Sequence, residues 1–195
     1  MLQNLYKKLL KYADHPKAEW VLFLVAFIES SVFPIPPDVL LIPMVIVNFD
    51  RAFRYAFICT AGSVLGGIAG YALGYFFFDS IGSAIIDFYG AADKFTSFQG
   101  WYAKYDVYII AMAGITPIPY KIVTIASGLL HANFFNFVMA SIVARFIRFY
   151  LIAWLLWRGG PALKGWIENN LYPITMAAGV AFILIVVLFK ILFGG

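Results

Sequence analysis

Five ionisable residues lie within apolar runs of this 195-residue chain: Glu29, Asp38, Lys121, Arg145 and Arg148. At the centre of a membrane helix each would cost about 2.5 to 3.5 kcal/mol on insertion scales, so such groups must face inward and meet counter-charges. Arg145 and Arg148 are three residues apart and Ser141 is four before Arg145, which puts all three on one helix face. Two neighbouring guanidinium groups repel unless an anion lies between them, and their forked donors suit phosphate or carboxylate oxygens. The Glu29 carboxylate could be that anion, and so could a lipid phosphate; alternatively Arg148 snorkels to an interface. Glu29 itself, in a mostly apolar leg, fits either a proton carrier or a structural ion pair.

These charges sit beside a repeated interruption. Pro34-Ile35-Pro36 recurs as Pro117-Ile118-Pro119, 83 residues later. Proline removes a backbone donor and clashes with the preceding turn, so each triplet stops a helix. Freed backbone groups survive at membrane depth only inside protein or beside a watery cavity. Asp38 and Lys121 each follow their triplet by two residues, and the repeat predicts that they lie close together as a pair. Ser30, Ser31, Thr116 and Thr124 flank the breaks, where hydroxyls can satisfy exposed backbone groups.

Composition sets the surroundings. The chain is 63% hydrophobic and 12% charged, far from the roughly 25% charged of soluble domains, and reads as an integral membrane protein of one compact bundle. Residues 1–16 form a basic amphipathic surface helix, with Leu2, Leu5, Tyr6, Leu9, Leu10 and Ala13 opposite Lys7, Lys8 and Lys11. Residues 17–160 form the membrane domain. Within it, repeat 1 covers about 17–78, a connector 79–106 and repeat 2 about 107–160. An interfacial link and a last transmembrane helix at 172–193 occupy 161–195. Trp20 to Phe33 is too short to span comfortably, since fourteen residues rise about 21 Å against a core of about 30 Å. A re-entrant hairpin with a second leg at 39–47 fits better than one kinked span. A full span at 55–78 follows, carrying Gly62, Gly66, Gly70 and Gly74 on one smooth face suited to close helix packing. The second hairpin uses 107–115 and 122–130, and its span runs from about Phe137 to Trp157. The expected fold is therefore all-α and membrane-embedded: an inverted repeat of two re-entrant helical hairpins, each followed by a transmembrane helix.

Charge sorting supports this topology. If both hairpins return to their own side, eight of the fourteen cations share the side of the N-terminus: Lys7, Lys8, Lys11, Lys17, Arg51, Arg54, Arg158 and Lys164. Lys94, Lys104 and Lys190 fall opposite. The positive-inside rule then places the N-terminus in the cytoplasm. A cleavable signal at 20–33 is not expected, because Glu29, Phe33 and Pro34 replace the small residues a cleavage site needs. The net charge of +4 is scattered rather than gathered on a face, which argues against nucleic acid. Cys59 is the only cysteine and neither His15 nor His131 has a ligating neighbour, so no metal or other cofactor is expected. No nucleophile-elbow, zinc-protease or P-loop pattern is present, and an enzyme is not the reading.

The run from Glu29 to Asp38, the Gly62-xxx-Gly66-xxxx-Tyr71-xx-Gly74 spacing, and Ser127-Gly128 before Phe134 together resemble the DedA family. This is the bacterial branch of the VTT domain, which also includes eukaryotic lipid scramblases. The resemblance covers roughly residues 17–160. It implies opposed re-entrant hairpins and movement of lipid phosphates across the inner membrane, often dependent on proton motive force. Undecaprenyl phosphate and ordinary phospholipids are the substrates it implies, with Glu29 and Asp38 at the implicated acidic positions. The chain departs from the family where arginines usually flank the second hairpin's proline, here Gly114 and Tyr120, and where an aspartate usually stands, here Gly67. Lys121 is the candidate replacement for the lost charge, and the chain looks closer to the shorter YqaA-like branch.

The function expected is a flippase or scramblase in the bacterial inner membrane. Its partners would be membrane lipids, an anionic phospholipid or a polyprenyl phosphate, with homo-oligomerisation left open. Arg145, Lys121 and Arg148 would hold the phosphate while Glu29 and Asp38 exchange with it. A small-solute or ion transporter built on the same repeat, or a membrane protein whose charges only fix packing, are the alternatives.

Overall fold

The computed structural model describes residues 17–31, 36–78, 92–116 and 120–169, without the side chains at 92, 94 and 161–169. The expected surface helix at 1–16, the last span at 172–193, and Pro34, Pro117 and Pro119 lie outside the described residues. Among these residues the fold is all helical: α1 (Ala18–Ser31), α2 (Asp38–Val47), a 3₁₀ turn (Phe49–Arg51), α3 (Ala52–Phe77), α4 (Ala92–Ile115), α5 (Tyr120–Leu129) and α6 (Phe134–Asn169). α1 ends at Ser31 and α2 begins at Asp38, after Pro36 and Pro37; α4 ends at Ile115 and α5 begins at Tyr120. Among the described residues two stretches, 49–77 and 134–160, are long and apolar enough to cross a bilayer.

One boundary differs from the sequence reading. Residues 92–106 do not form an element separate from 107–115; α4 runs through both. The mixed polarity there reflects a helix with one buried and one exposed face, since Tyr102 and Asp106 are buried while Trp101, Tyr105 and Tyr108 are exposed. The helix after the second break is interrupted close to where the sequence places its end: α6 kinks at Gly160, whose φ of 49° and ψ of −144° are non-helical and open to glycine at little cost, and a second helical stretch then runs to Asn169.

Contacts along the helices fix their directions. Glu19 meets Arg54, and Phe23 and Phe27 lie against Gly62 and Gly66, so α1 and α3 run in parallel. α2 therefore carries the chain back to the end where α1 began. On the other side Gln99 bonds the Leu130 carbonyl and Tyr102 the Ser127 hydroxyl, so α5 runs back along α4. Gly114 touches Ala144 and Thr116 is bonded by Arg148, which makes α4 and α6 parallel. α3 and α6 are opposed: Tyr71 packs on Phe134 and Phe137, and Phe53 on Tyr150 and Trp157.

Local chemistry sets the turn between α5 and α6. His131 takes φ 52° after α5, with Ala132 N–H donating to the Ser127 carbonyl and His131 N–H to that of Gly128. This is a Schellman ending with His in the place glycine usually takes. Asn133 then caps α6, its Oδ1 accepting the Asn136 N–H at 3.0 Å.

Among the described residues a polar set is buried within the apolar core while many large apolar side chains are exposed. Ser30, Ser63, Thr124, Ser127, Ser141 and Arg145 are buried, whereas Trp20, Phe57, Phe76, Phe135, Val143 and Trp154 are exposed. So many exposed apolar side chains around an interior that buries an arginine suit lipid rather than water.

The glycine face of α3 is what admits both helix pairs. A Cβ at Gly66 would overlap the Phe27 carbonyl of α1, and one at Gly74 the Ile125 carbonyl of α5. Gly128 of α5 is equally tight against the Tyr71 carbonyl of α3. Gly66→Ala and Gly128→Ala should each destabilise the purified protein by roughly 1–3 kcal/mol. Gly100, with nothing within 4 Å, should gain about 0.5–1 kcal/mol when replaced by Ala. Thermal unfolding in detergent, followed by tryptophan fluorescence, checks all three; equal effects would contradict the packing role.

Candidate functional site

The two arginines of α6 meet the two carboxylates that bracket the first break. Arg145 is 2% exposed and its Nη2 lies 3.6 Å from Glu29 Oε2, with the Glu29 side chain 16% exposed. Arg148 donates from Nη2 to Asp38 Oδ2 at 2.8 Å and from Nη1 to the Thr116 carbonyl at 2.8 Å. One guanidinium thereby joins the residue that opens α2 to the residue that follows α4. Both helix interruptions converge on a single turn of α6.

This corrects the expectation that Asp38 pairs with Lys121. Asp38 is claimed by Arg148, because α2 packs on α6. Lys121 belongs to neither pair; it sits half-buried on α5, which packs mainly on α3, and its carbonyl accepts from Thr124 Oγ1 at 2.9 Å. Arg148 is turned inward, its side chain 19% exposed, so the snorkelling alternative does not describe it.

Around the ion pairs runs a set of hydroxyls. Ser30 Oγ donates to Glu29 Oε2 at 3.1 Å and lies 2.6 Å from Ser63 Oγ of α3. Thr124 Oγ1 donates across to the Ser30 carbonyl at 3.2 Å, closing one of the carbonyls freed at the end of α1. Ser31 and Thr116 donate back to Phe27 and Met112 in the same way. The flanking hydroxyls thus repair local backbone, while Ser30 in addition orients the carboxylate.

Tyr120 was not among the residues singled out for chemistry. It is buried at the start of α5, its ring centroid 3.8 Å from Arg145 Cζ, and its hydroxyl donates to Ser141. A guanidinium stacked on an aromatic face in a desolvated site is held by a cation–π attraction of about 2 kcal/mol. The sequence signal available was position: Tyr120 follows the second triplet directly, and Ser141 shares the arginine face. Ser63 could have been found as the polar residue next to Gly62 on the small face of α3.

Four buried polar atoms in this cluster have no hydrogen-bond partner among the described residues: Asp38 Oδ1, Arg145 Nε and Nη2, and Arg148 Nε. A desolvated donor or acceptor left unpaired costs about 1–3 kcal/mol. Arranged as they are on two adjacent guanidinium groups, the donors present an array suited to the oxygens of one more anion.

A family model described as the VTT domain matches residues 35–158. An uncharacterized protein of Haemophilus influenzae is 38% identical over 157 residues, covering 80% of this chain and 81% of its own length. Another uncharacterized protein, from Histophilus somni, is 34% identical over 157 residues, covering 80% and 82% respectively. No solved structure matches the chain significantly.

If Glu29 and Arg145 stabilise each other, a double-mutant cycle with Glu29→Gln and Arg145→Met should give a coupling of about 1–3 kcal/mol. Arg145→Met alone, stranding the carboxylate, should cost more than the double change. A crossed cycle between Glu19 and Arg145, whose side chains belong to different ion pairs, should give no coupling in chemical unfolding. A coupling as large there would contradict the pairing.

Proposed function

The chain belongs to the VTT domain family, the DedA family of membrane proteins, and on that premise we propose that it moves an anionic lipid headgroup between the leaflets of the bacterial inner membrane. In this reading α1–α2 and α4–α5 are re-entrant hairpins entering from opposite faces, and α3 and α6 are the spans that follow them. The parallel course of α1 and α3, the reversal of α5 along α4, and the opposition of α3 and α6 support that topology. The positive-inside rule would leave the N-terminus cytoplasmic.

The observation that carries the proposal is Arg145: buried to 2% exposure, stacked on Tyr120, with two of its donor atoms lacking a hydrogen-bond partner among the described residues and Glu29 held at ion-pair rather than hydrogen-bond distance. A guanidinium so placed is poised to exchange one anion for another. A lipid phosphate entering between α1 and α6 would take donors from Arg145 and Arg148, displacing Glu29 and Asp38. This exchange of anions is the step on which a proton gradient would act, as the family resemblance implies. Acyl chains would remain in the hydrocarbon, and Lys121 would meet the headgroup from the α5 side. No covalent step is needed, so the reading is of a transporter and not an enzyme.

Proteoliposomes containing the protein should equilibrate a fluorescent anionic phospholipid between leaflets. Glu29→Gln and Arg145→Ala should each slow exchange about tenfold or more, equivalent to roughly 1.4 kcal/mol of barrier, with the size-exclusion profile unchanged. Unaltered rates would remove these residues from the mechanism. Uptake of a small solute without lipid exchange would favour the solute-transporter alternative.

A further inference from the structure

Where α1 and α3 start side by side, a groove of about 640 Å³ opens on the outside of the bundle, lined by Glu19, Trp20 and Phe23 of α1 and by Arg54, Phe57 and Ala61 of α3, among others. Its chemistry is ordered like an amphiphile. At the mouth Arg54 donates to Glu19 at 2.7 Å, and the Arg54 side chain is 65% exposed, so much of its donor fork is open to a ligand. Farther in, Phe23, Phe57 and Ala61 supply an uncharged wall. Because α1 and α3 run in parallel, each turn deeper along one is deeper along the other. From Arg54 to Ala61 the groove follows about 10 Å of helix. Trp20, 71% exposed, stands at the mouth, in the position indole rings favour at a membrane–water boundary.

We propose that this groove binds one glycerophospholipid whose headgroup carries both a phosphate and an amine. The phosphate sits on Arg54, the ammonium on Glu19, and an acyl chain runs along Phe23, Phe57 and Ala61. Charge complementarity selects the headgroup. The mouth offers a cation and an anion side by side, which matches a zwitterion, whereas a purely anionic headgroup meets the Glu19 carboxylate at a cost. The site is distinct from the Glu29–Arg145 cluster: ten residues of α1, about 15 Å of rise, separate Glu19 from Glu29. It rests on the insertion of the chain in a bilayer and stands whether or not lipid crosses the membrane.

The test uses the full chain in nanodiscs with diazirine-bearing phosphatidylethanolamine or phosphatidylglycerol, the crosslinked peptides being read by mass spectrometry. Labelling of α3 around Phe57 and Ala61 should be several-fold stronger with the ethanolamine lipid. Ala61→Trp, which fills the groove, should reduce it about tenfold; Ala61→Leu serves if the larger variant does not fold. Glu19→Gln should keep the labelling but erase the preference between the two lipids. Equal labelling by both lipids, unaffected by the Ala61 variants, would mean annular lipid only and would overturn the proposal. So would a disulfide joining a cysteine placed at Phe57 to one within residues 1–16, which would show the groove filled by the chain itself. Leaflet exchange is not read at any point, so failure here and failure of the transport reading are separate results.

Discussion

A guanidinium removed from water must be matched by charge, and in this chain the matching is done across the molecule. Arg145 and Arg148, one turn apart on α6, take their counter-ions from Glu29 near the end of α1 and Asp38 at the start of α2. The two carboxylates could not both reach one turn of α6 if α1 and α2 formed one continuous helix, since nine residues of helix would hold them about 13 Å apart along its axis. The same guanidinium that holds Asp38 also holds the Thr116 carbonyl. The interruption in each half of the chain is therefore secured by the long helix of the second half, and removing either arginine would strand buried charge on the other side.

That arrangement requires α3 to lie close to both helix pairs at once. Its glycine column serves both contacts, with Gly62 and Gly66 facing α1, Gly74 facing α5, and Gly70 set between Thr124 of α5 and the Ser30 carbonyl of α1. Close backbone approach brings Ser63 to Ser30 and Thr124 to the Ser30 carbonyl, so the hydroxyls that orient Glu29 are positioned by the packing of small residues. The two positions where an arginine and an aspartate of the DedA pattern are absent, Tyr120 and Gly67, face each other: a Cβ at Gly67 would lie 3.4 Å from the Tyr120 ring. In place of a charge at that point, the chain has an aromatic face on which Arg145 rests.

Much of this was legible in the sequence because membrane constraints are severe. Paired prolines must stop a helix, glycines at every fourth position must mark a close contact, and the ionisable residues in apolar runs had to meet partners. Glu29, Asp38, Arg145 and Arg148 were found in this way. What the sequence could not supply was the partner of each charge. Equal spacing from the two triplets suggested Asp38 with Lys121, but pairing is decided by which helices pack. α2 rests on α6, so Arg148 reaches Asp38 first. Tyr120 was hidden for a related reason, since an aromatic residue in an apolar chain carries no signal until its ring is seen beneath a cation. The extent of α4 was obscured by polarity, because one exposed face made its first half look like a connector.

The central claim is that the two interruptions face each other inside the bilayer. Cysteines at Ser30 and Thr124, placed in a Cys59→Ser background, test it most directly in native membranes with a short thiol crosslinker. A pair at Ser30 and Ser63, whose hydroxyls are 2.6 Å apart, reports on labelling efficiency. The account predicts that both pairs crosslink within one chain. Crosslinking of the Ser30–Ser63 pair alone, with Ser30 and Thr124 unreactive toward each other, would contradict it.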